Sequence, residues 1–399
     1  MPRSGRGWQV RSSLNRPALM ASDPIYLDHH ATTPVDARVL EAMLPYFSEV
    51  FGNPSAITHE HGRRAAKAVE DARVTVAGFF GVDRSEVFFT AGATESNNIV
   101  LQSLGRQRGR HVVVSAVEHK SVLEPARLLA SEGVEVTILA VDRDGIVSPG
   151  SLRESIRDDT SLVSIMTANG EVGSVQPVSE LGAICRERRV PFHMDATQAI
   201  GKIAVDHSVV HFDLLSLSAH KFYGPKGVGV LIAKRGTRIR PLMVGGGQER
   251  GARSGTVNVP AVVGLAAALD LRSEEMAEEA PRLARLRDQL RGLLLDRVPG
   301  VLINGPSNDR LPGNLNASFE GVEAESVMMA VRGFSLSSGS ACGAGSREPS
   351  HVLLAMGRSD AQAMGSIRFG LGSSTTEEQI GLLVEELGAA VVRIRSLGA

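Results

Sequence analysis

The sequence lacks the features that mark several classes of protein. Its 399 residues include only two cysteines, Cys185 and Cys342, which argues against a disulfide scaffold and fits a reducing, cytoplasmic compartment. The formal net charge is -1, so electrostatics gives no case for nucleic acid or an anionic membrane surface. No uninterrupted apolar run reaches about 18 residues, the length expected of a membrane span. The chain contains no internal repeat and no low-complexity stretch.

The composition is that of an ordinary globular protein. Hydrophobic residues make up 43% of the chain and charged residues 22%. The length predicts about two or three domains. Residues 1–20 stand apart because they are arginine-rich, contain no acid and carry the single tryptophan, Trp8. This pattern is typical of a transit peptide, but we favour either a disordered tail or a non-native upstream extension, the latter with Met20 as the true start.

Strand-like and helical segments alternate along most of the remaining chain. This alternation predicts an α/β fold with a mostly parallel sheet. The run Gly227–Arg235 follows the apolar run Phe212–Leu217 after so short a turn that we expect the two to pair antiparallel. A helical region from Val259 to Leu295 is expected to be interrupted near Pro281.

Polar residues follow the predicted strands at the points where these end. Lys221 comes directly after a buried strand, where burial disfavours the ammonium form and makes a nucleophilic amine that can form a Schiff base with an aldehyde. Lys226 is a competing candidate five residues later. Ligands of such sheets gather beyond the carboxyl ends of the strands. The residues that share this location are Thr94, His119, Asp195, Gln198, His220 and Lys221.

These residue types match the needs of an aldehyde cofactor with a pyridine ring and a phosphate. Such a cofactor requires a Schiff-base lysine, an acid at the ring nitrogen and a phosphate cradle. Lys221 and Asp195 provide the first two, and the small-residue turn before a helix at Ala93–Thr94 provides the third. The ring of His119 could stack on the cofactor. The structural alternative for both His119 and Asp195 is helix capping.

The two cysteines differ in their surroundings. Cys342 lies in a run of glycine, serine and alanine and is a candidate nucleophile, with a reactivity that depends on its pKa. Cys185 shares an apolar helical face with Leu181 and Ile184. We therefore predict that Cys185 is a core residue.

From about Ile25 to the C-terminus the chain resembles the pyridoxal-phosphate enzymes of the class V aminotransferase family, specifically cysteine desulfurases of the iron–sulfur-assembly type. The motifs that carry the resemblance are, in order, YLDHHATTPVD, FGNPSA, FTAGATESNN, VEHKSVL, HMDATQAIGK, SLSAHKFYGPKGVG, GGGQERGARSGT, SSGSAC and SIRFGLG. It implies a fold-type I transferase with a large domain, 37–275, built on a seven-stranded sheet. A smaller α/β domain, 276–399, carries the cysteine loop, and residues 21–36 pack against it.

The resemblance also implies roles for individual residues, with pyridoxal 5'-phosphate as the cofactor and no metal. Lys221 would bind the cofactor and move the substrate Cα proton, and Cys342 would take the sulfur of L-cysteine as a persulfide, leaving L-alanine. Arg368, helped by Asn53, would hold the substrate carboxylate. The implied cofactor-binding residues are Ala93, Thr94, His119, Asp195, Gln198, Ser218, His220 and Lys221, with Thr256 from the second subunit of a homodimer.

The cysteine loop resembles the long-loop branch of these sulfurtransferases, which passes sulfur to an iron–sulfur scaffold or to a thiolation acceptor. Three positions depart from the family pattern. Gly170 stands where a second asparagine is usual, so either Asn169 compensates or Gln198 alone contacts the cofactor hydroxyl. His29–His30 is an unusual pair. The sequence stops at Ala399 without the tail that some relatives use for scaffold docking, which puts docking in doubt.

Other functions remain open from the sequence. A selenocysteine lyase or another β-lyase would keep the cofactor and change the reaction. A metal-dependent phosphoesterase would use the histidines of Asp28–His29–His30, His59-x-His61 and His207-x3-His211 as ligands. A catalytically silent relative would keep the fold, although Lys221, Cys342 and Arg368 argue against it.

Overall fold

The computed structural model describes residues 23–106, 111–206, 209–338 and 348–398. The predictions that concern residues 1–20, His207 and Cys342 lie outside these ranges. In the described parts of the chain, no helix is both long and apolar enough to cross a membrane.

The described residues form twelve strands and twelve α-helices. The strands are β1 Ile25–Tyr26, β2 Val87–Thr90, β3 His111–Ser115, β4 Glu135–Leu139, β5 Thr160–Met166, β6 Phe192–Asp195, β7 Leu214–Ser218, β8 Gly229–Ala233, β9 Val301–Asn304, β10 Asn314–Phe319, β11 Phe334–Ser335 and β12 Ser366–Gly370. The helices are α1 Ala37–Met43, α2 Pro45–Ser48, α3 Glu60–Phe80, α4 Ala93–Leu104, α5 Lys120–Ser131, α6 Pro149–Ser155, α7 Val178–Arg188, α8 Val259–Arg297, α9 Ala324–Ala330, α10 His351–Ala355, α11 Asp360–Met364 and α12 Glu377–Gly398.

A seven-stranded sheet organises the first part of the chain, with the strand order β2-β8-β7-β6-β5-β3-β4. Strand β8 pairs antiparallel with β7 and β2, and the remaining neighbours pair parallel. This confirms the mixed, mostly parallel α/β sheet and the reversed strand. Strands β3, β5, β7 and β8 are fully buried, as expected for a sheet with helices on both faces, whereas the edge strand β4 is partly exposed. Because of these pairing directions, all strands of this sheet except β8 end at one edge of it.

A second, three-stranded sheet with the order β12-β10-β9 lies in the later part of the chain. It has an apolar core of its own, in which Leu315, Phe319 and Phe369 pack with the helix α12. The start of the described chain joins this sheet region. Strand β1 pairs parallel with β11, and Asp28 bridges to Gly370 at the end of β12.

Helix α8 passes through both apolar cores as one continuous helix of 39 residues. Its first half, with Leu265 and Leu269, packs in the core of the large sheet, and its second half, with Leu290, packs in the other core. The predicted interruption near Pro281 is therefore wrong. Pro281 lies on an exposed face, where water can bond the carbonyl group that proline leaves without a donor. Burial of both halves keeps the axis continuous.

Candidate functional site

A cavity of about 1100 Å³ lies at the edge where the parallel strands end. The expected residues that line it are Ala93, Thr94, His119, Asp195, Gln198, Ser218, His220, Lys221 and Arg368. Two expected residues, Asn53 and Thr256, are exposed and do not line this chain's own cavity. Asn53 instead accepts a hydrogen bond from the backbone N–H of Ser55 at 2.9 Å.

Lys221 lies in a 3₁₀ turn, Ala219–Lys221, that follows β7 directly. Its Nζ donates to two backbone carbonyls, those of His30 at 2.8 Å and Ala31 at 2.7 Å. The loop after β1 therefore holds the amine at the cavity. Lys226, the competing lysine, also lines the cavity, but it is exposed at the rim.

Asp195 ends β6 and connects to His119 through two residues that sequence reasoning missed. The Nδ2 of Asn97 donates to Asp195 Oδ2 and to Ser121 Oγ, both at 2.8 Å. Ser121 Oγ in turn lies 2.8 Å from His119 Nδ1. The signal that could have identified Asn97 is its place one turn into α4, and Ser121 follows His119 by two residues.

The capping interpretation of His119 and Asp195 is compatible with a place in the cavity. His119 is the N-cap of α5, and its Nδ1 accepts from the backbone N–H of Ser121 at 3.1 Å. Because Nδ1 accepts a backbone hydrogen bond, the ring N–H of His119 is on Nε2. Asp195 Oδ1 likewise accepts from the N–H of Thr197 at 3.0 Å. These bonds fix both side chains in position while they face the cavity.

The N-terminus of α4 has backbone N–H groups and a positive helix end that suit an anion. The helix starts after Gly92 with no side-chain cap, so N–H groups of its first turn remain for a ligand. The backbones of Gly92 and Gly229 lie so close together here that a Cβ on Gly229 would be 2.6 Å from Gly92 Cα. Ser218 and His220 line the same cavity. Burial and the neighbouring lysines lower the pKa of His220 to about 4, so its ring is neutral near pH 7.

Arg368 reaches the cavity from β12, in the other sheet. Its Nη2 donates to Asp28 Oδ1 at 2.6 Å, and both side chains are largely buried. The Nε atom of Arg368 is buried and has no hydrogen-bond partner. A carboxylate ligand would satisfy that donor, because carboxylates accept two parallel bonds from a guanidinium. The sequence indicates Asp28 only as a candidate metal ligand, and the structure shows that it is the ion-pair partner of Arg368.

Two buried glutamates also line the cavity and were not predicted. Burial raises the pKa of Glu118 to about 8, although its Oε1 accepts from Ser115 Oγ and from the N–H of Met166. Burial also raises the pKa of Glu171. One carboxyl oxygen of each has no hydrogen-bond partner. Both follow the ends of strands, β3 and β5, which was the available signal.

The metal alternative finds no site in the described residues, where no group of three or more histidines, cysteines, aspartates or glutamates could hold an ion. Asp28 pairs with Arg368, the Nδ1 of His29 contacts the carbonyl of Gly370, and His30 contacts Gln198. His59 caps α3 through the N–H of Gly62. Each of these side chains has a structural partner of its own.

The arrangement fits pyridoxal 5'-phosphate. An amine at Lys221, a carboxylate at Asp195 and an uncapped helix N-terminus at Ala93 open into one cavity. These are the groups that a covalently bound aldehyde, a pyridine nitrogen and a phosphate require. Cys185 is outside this site, and its prediction as a core residue is confirmed: it is fully buried, which raises the pKa of its thiol to about 12.

Comparison with known proteins gives the same assignment. Residues 25–383 match the family described as aminotransferase class-V. A cysteine desulfurase IscS of Anaeromyxobacter dehalogenans is 48% identical over 94% of this chain and 94% of its own, and a human cysteine desulfurase is 47% identical over 94% and 83%. A solved structure of a NifS-like protein superposes with a TM-score of 0.87 at 38% identity, covering 93% of this chain and all of its own. The chain belongs to the class V aminotransferase family.

Proposed function

We propose that this protein is a cysteine desulfurase that uses pyridoxal 5'-phosphate to remove sulfur from L-cysteine. The observation that carries the proposal is the convergence of Lys221, Asp195 and the N-terminus of α4 on one cavity. Family membership and near full-length similarity to cysteine desulfurases support it. A solved structure described as SspA in complex with cysteine is 36% identical in sequence to this chain and superposes on it with a TM-score of 0.78.

The residues at the large sheet would bind the cofactor. Lys221 would hold its aldehyde carbon, and Asp195 would hold the pyridine nitrogen protonated. Gln198 would contact the ring hydroxyl, and His119 would stack on the ring. The phosphate would take N–H groups at Ala93 and Thr94, with Ser218 and His220 beside them. When bound, the cofactor withdraws electrons from the substrate carbon skeleton.

The substrate would be held from the opposite side. Arg368 would bind the carboxylate of L-cysteine, with Asp28 fixing the guanidinium, and Asn53 would assist. Once released from its covalent bond to the cofactor, the Lys221 amine would move the Cα proton. These assignments place the substrate between two sheets that have separate apolar cores.

Cys342 would accept the sulfur. Its Sγ, as thiolate, forms an S–S bond with the substrate sulfur while the C–S bond of the substrate breaks. The electron pair of that bond stays with the carbon skeleton, which gains a proton and leaves as L-alanine. The products are an enzyme persulfide and alanine, so the step needs no outside oxidant or reductant.

Hydride reduction tests the covalent attachment. Borohydride treatment of the holoenzyme followed by peptide mapping should label Lys221 and remove the visible absorption. Lys226→Ala, as the matched control at the other cavity lysine, should keep the label. A label on Lys226, or no label on either lysine, would overturn the assignment.

Cys342 separates this activity from the lyase alternative. Cys342→Ala should abolish both the trapped persulfide and alanine formation from L-cysteine, whereas Cys185→Ala should change neither. If Cys342→Ala still released sulfur and alanine at the wild-type rate, a selenocysteine lyase or another β-lyase would be the better description.

We also propose a homodimer in which Thr256 completes the partner's phosphate site. Large apolar side chains are exposed on this chain near α1 and α2, with Phe47, Phe51 and Ile57 exposed by 61%, 63% and 65%. Mixing subunits that carry Lys221→Ala with subunits that carry Thr256→Ala provides a test. A shared site predicts recovered activity, because the intact Lys221 then meets the intact Thr256 across the interface. No recovery in a verified heterodimer would contradict the shared site.

The wider setting is likewise a proposal. We propose a cytoplasmic enzyme that passes its persulfide sulfur to an iron–sulfur scaffold or another acceptor protein. One relative is described as a mitochondrial cysteine desulfurase. We also propose the division into units 37–275 and 276–399. Trapping the persulfide and identifying the protein that removes it would test the acceptor, and limited proteolysis would test the division.

A further inference from the structure

Gly170 follows β5 and lines the cavity next to Gln198. Its φ lies outside the left-handed region, so the backbone does not require glycine here. Space does require it. A Cβ on Gly170 would lie 2.6 Å from Gln198 Nε2 and 2.7 Å from Cδ, closer than non-bonded atoms approach. The side chain of Gln198 therefore occupies the volume that any side chain at position 170 would need.

Gln198 cannot move away cheaply, because three hydrogen bonds hold its amide. The Oε1 atom accepts from Lys202 Nζ at 2.6 Å and faces His30 Nδ1 at 3.1 Å. The Nε2 atom donates to the backbone carbonyl of His30 at 3.0 Å. Since the backbone carbonyl of His30 can only accept, the amide nitrogen faces that carbonyl and the amide oxygen faces Lys202, so His30 Nδ1 must carry a hydrogen to bond that oxygen. One N–H of the amide remains, on the nitrogen beside Gly170.

The neighbouring asparagine does not take over this role. The Oδ1 of Asn169 accepts the backbone N–H groups of Glu171 at 2.8 Å and Val172 at 3.0 Å. Its Nδ2 donates to the carbonyl of Val117 at 3.0 Å. These bonds close the turn after β5, so Asn169 is committed to the backbone. Of the two compensations open from the sequence, the geometry leaves the contact to Gln198.

Lys202 holds the amide of Gln198 although other cationic side chains surround it. Burial lowers its pKa, and the charges of Lys221 and Arg368 add to the effect. Arg272 and Glu279 line, together with Lys202, a small adjoining cavity of about 30 Å³. Gln198 Oε1 gives this amine a neutral acceptor within hydrogen-bonding distance.

We propose that Gly170, Lys202 and His30 are positioning residues that together aim the remaining N–H of Gln198 at the ring oxygen of the cofactor. The inference rests on the proposed function, in which the cofactor is attached to Lys221. An N–H donated to that oxygen stabilises its negative charge, which is greatest when the linked nitrogen of Lys221 is unprotonated. The hydrogen bond from Gln198 therefore lowers the pKa of the Lys221 nitrogen that is linked to the cofactor.

The pH titration of the visible absorption of the holoenzyme measures this pKa. Gly170→Ala should displace Gln198 and raise the midpoint by about one pH unit, the size expected from one charge-assisted hydrogen bond. In a Gln198→Ala background, the added methyl group has nothing to displace, so Gly170→Ala should cause no further shift. Gly78→Ala is the matched control, because a Cβ there meets nothing within 4 Å.

Lys202→Met provides a second test that does not depend on the methyl group. It should shift the midpoint less in the Gln198→Ala background than alone, because part of its effect passes through Gln198. Equal shifts in both backgrounds, or a Gly170→Ala midpoint equal to that of wild type, would overturn the inference. These results remain distinct from failure of the proposed function, which would show as no hydride label on Lys221.

Discussion

The open edge of the large sheet at β2 is closed by a buried ion pair. The outward N–H of Phe89 donates to Glu249 Oε2 at 2.8 Å, and the carbonyl of Val87 accepts from Arg73 Nη1 at 2.7 Å. Arg73 and Glu249 are joined by two bonds, at 2.8 and 2.9 Å, with side chains only 4% and 2% exposed. The pair therefore attaches the glycine-rich loop to the sheet and covers an edge that would otherwise offer free backbone groups.

Glu249→Ala should open this edge. It leaves the guanidinium of Arg73 buried without its main partner and the Phe89 N–H without an acceptor. Removing one member of a buried pair costs about 3–5 kcal/mol. At 1.36 kcal/mol for each factor of ten, the amide of Phe89 should exchange with solvent about a hundred- to a few-thousand-fold faster.

Hydrogen exchange resolved to single residues by fragmentation mass spectrometry gives the measurement. Glu70→Ala is the matched control, because Glu70 also pairs with Arg73, at 2.9 Å, but its side chain is 49% exposed. An exposed pair contributes about 0–1 kcal/mol, so exchange should change by less than about fivefold. Adding Arg73→Met to Glu249→Ala should recover part of the protection. Equal acceleration in the two alanine variants would refute the reasoning.

Three further predictions concern other buried groups. Asp28→Ala should raise KM for L-cysteine about tenfold by freeing the Arg368 guanidinium, and Asp28→Asn should raise it less, as steady-state kinetics will show. Burial lowers the pKa of His193 to about 4, so the unfolded chain binds its proton first and this group costs stability as pH falls below about 6.5. His193→Gln should therefore reduce the loss of unfolding free energy between pH 7 and pH 5 by about 2 kcal/mol, measured in urea. Cys185, with its thiol pKa of about 12, should resist iodoacetamide at pH 8 until the protein is unfolded.

The sequence predicted those parts of the site that follow from chain direction. Asp195, Ser218 and Lys221 come at the ends of apolar strands, and parallel strands end at one edge of a sheet, so the cavity could be placed in advance. The reversed strand β8 followed from the length of its turn. Both inferences use local signals, which a single sequence contains.

Contacts between distant segments could not be predicted in this way. Asn97 bonds to Asp195, which is 98 positions away, and Asp28 bonds to Arg368 across 340 positions. Nothing in the local pattern of either residue names its partner. Pro281 misled because proline is judged by its intrinsic effect on a helix, whereas packing at both ends of α8 decided the outcome.

Continuity of α8 has a mechanical consequence for the reaction. At 1.5 Å per residue, its 39 residues make a strut of about 58 Å whose two halves are embedded in different cores. Lys221 follows a strand of the large sheet, whose core holds the first half of α8, and Arg368 lies in the smaller sheet, whose core holds the second half. A shift of Arg368 relative to Lys221 must therefore bend or tilt α8. Pro281 has no N–H and cannot form a backbone hydrogen bond within the helix, so α8 is expected to bend most easily at this position.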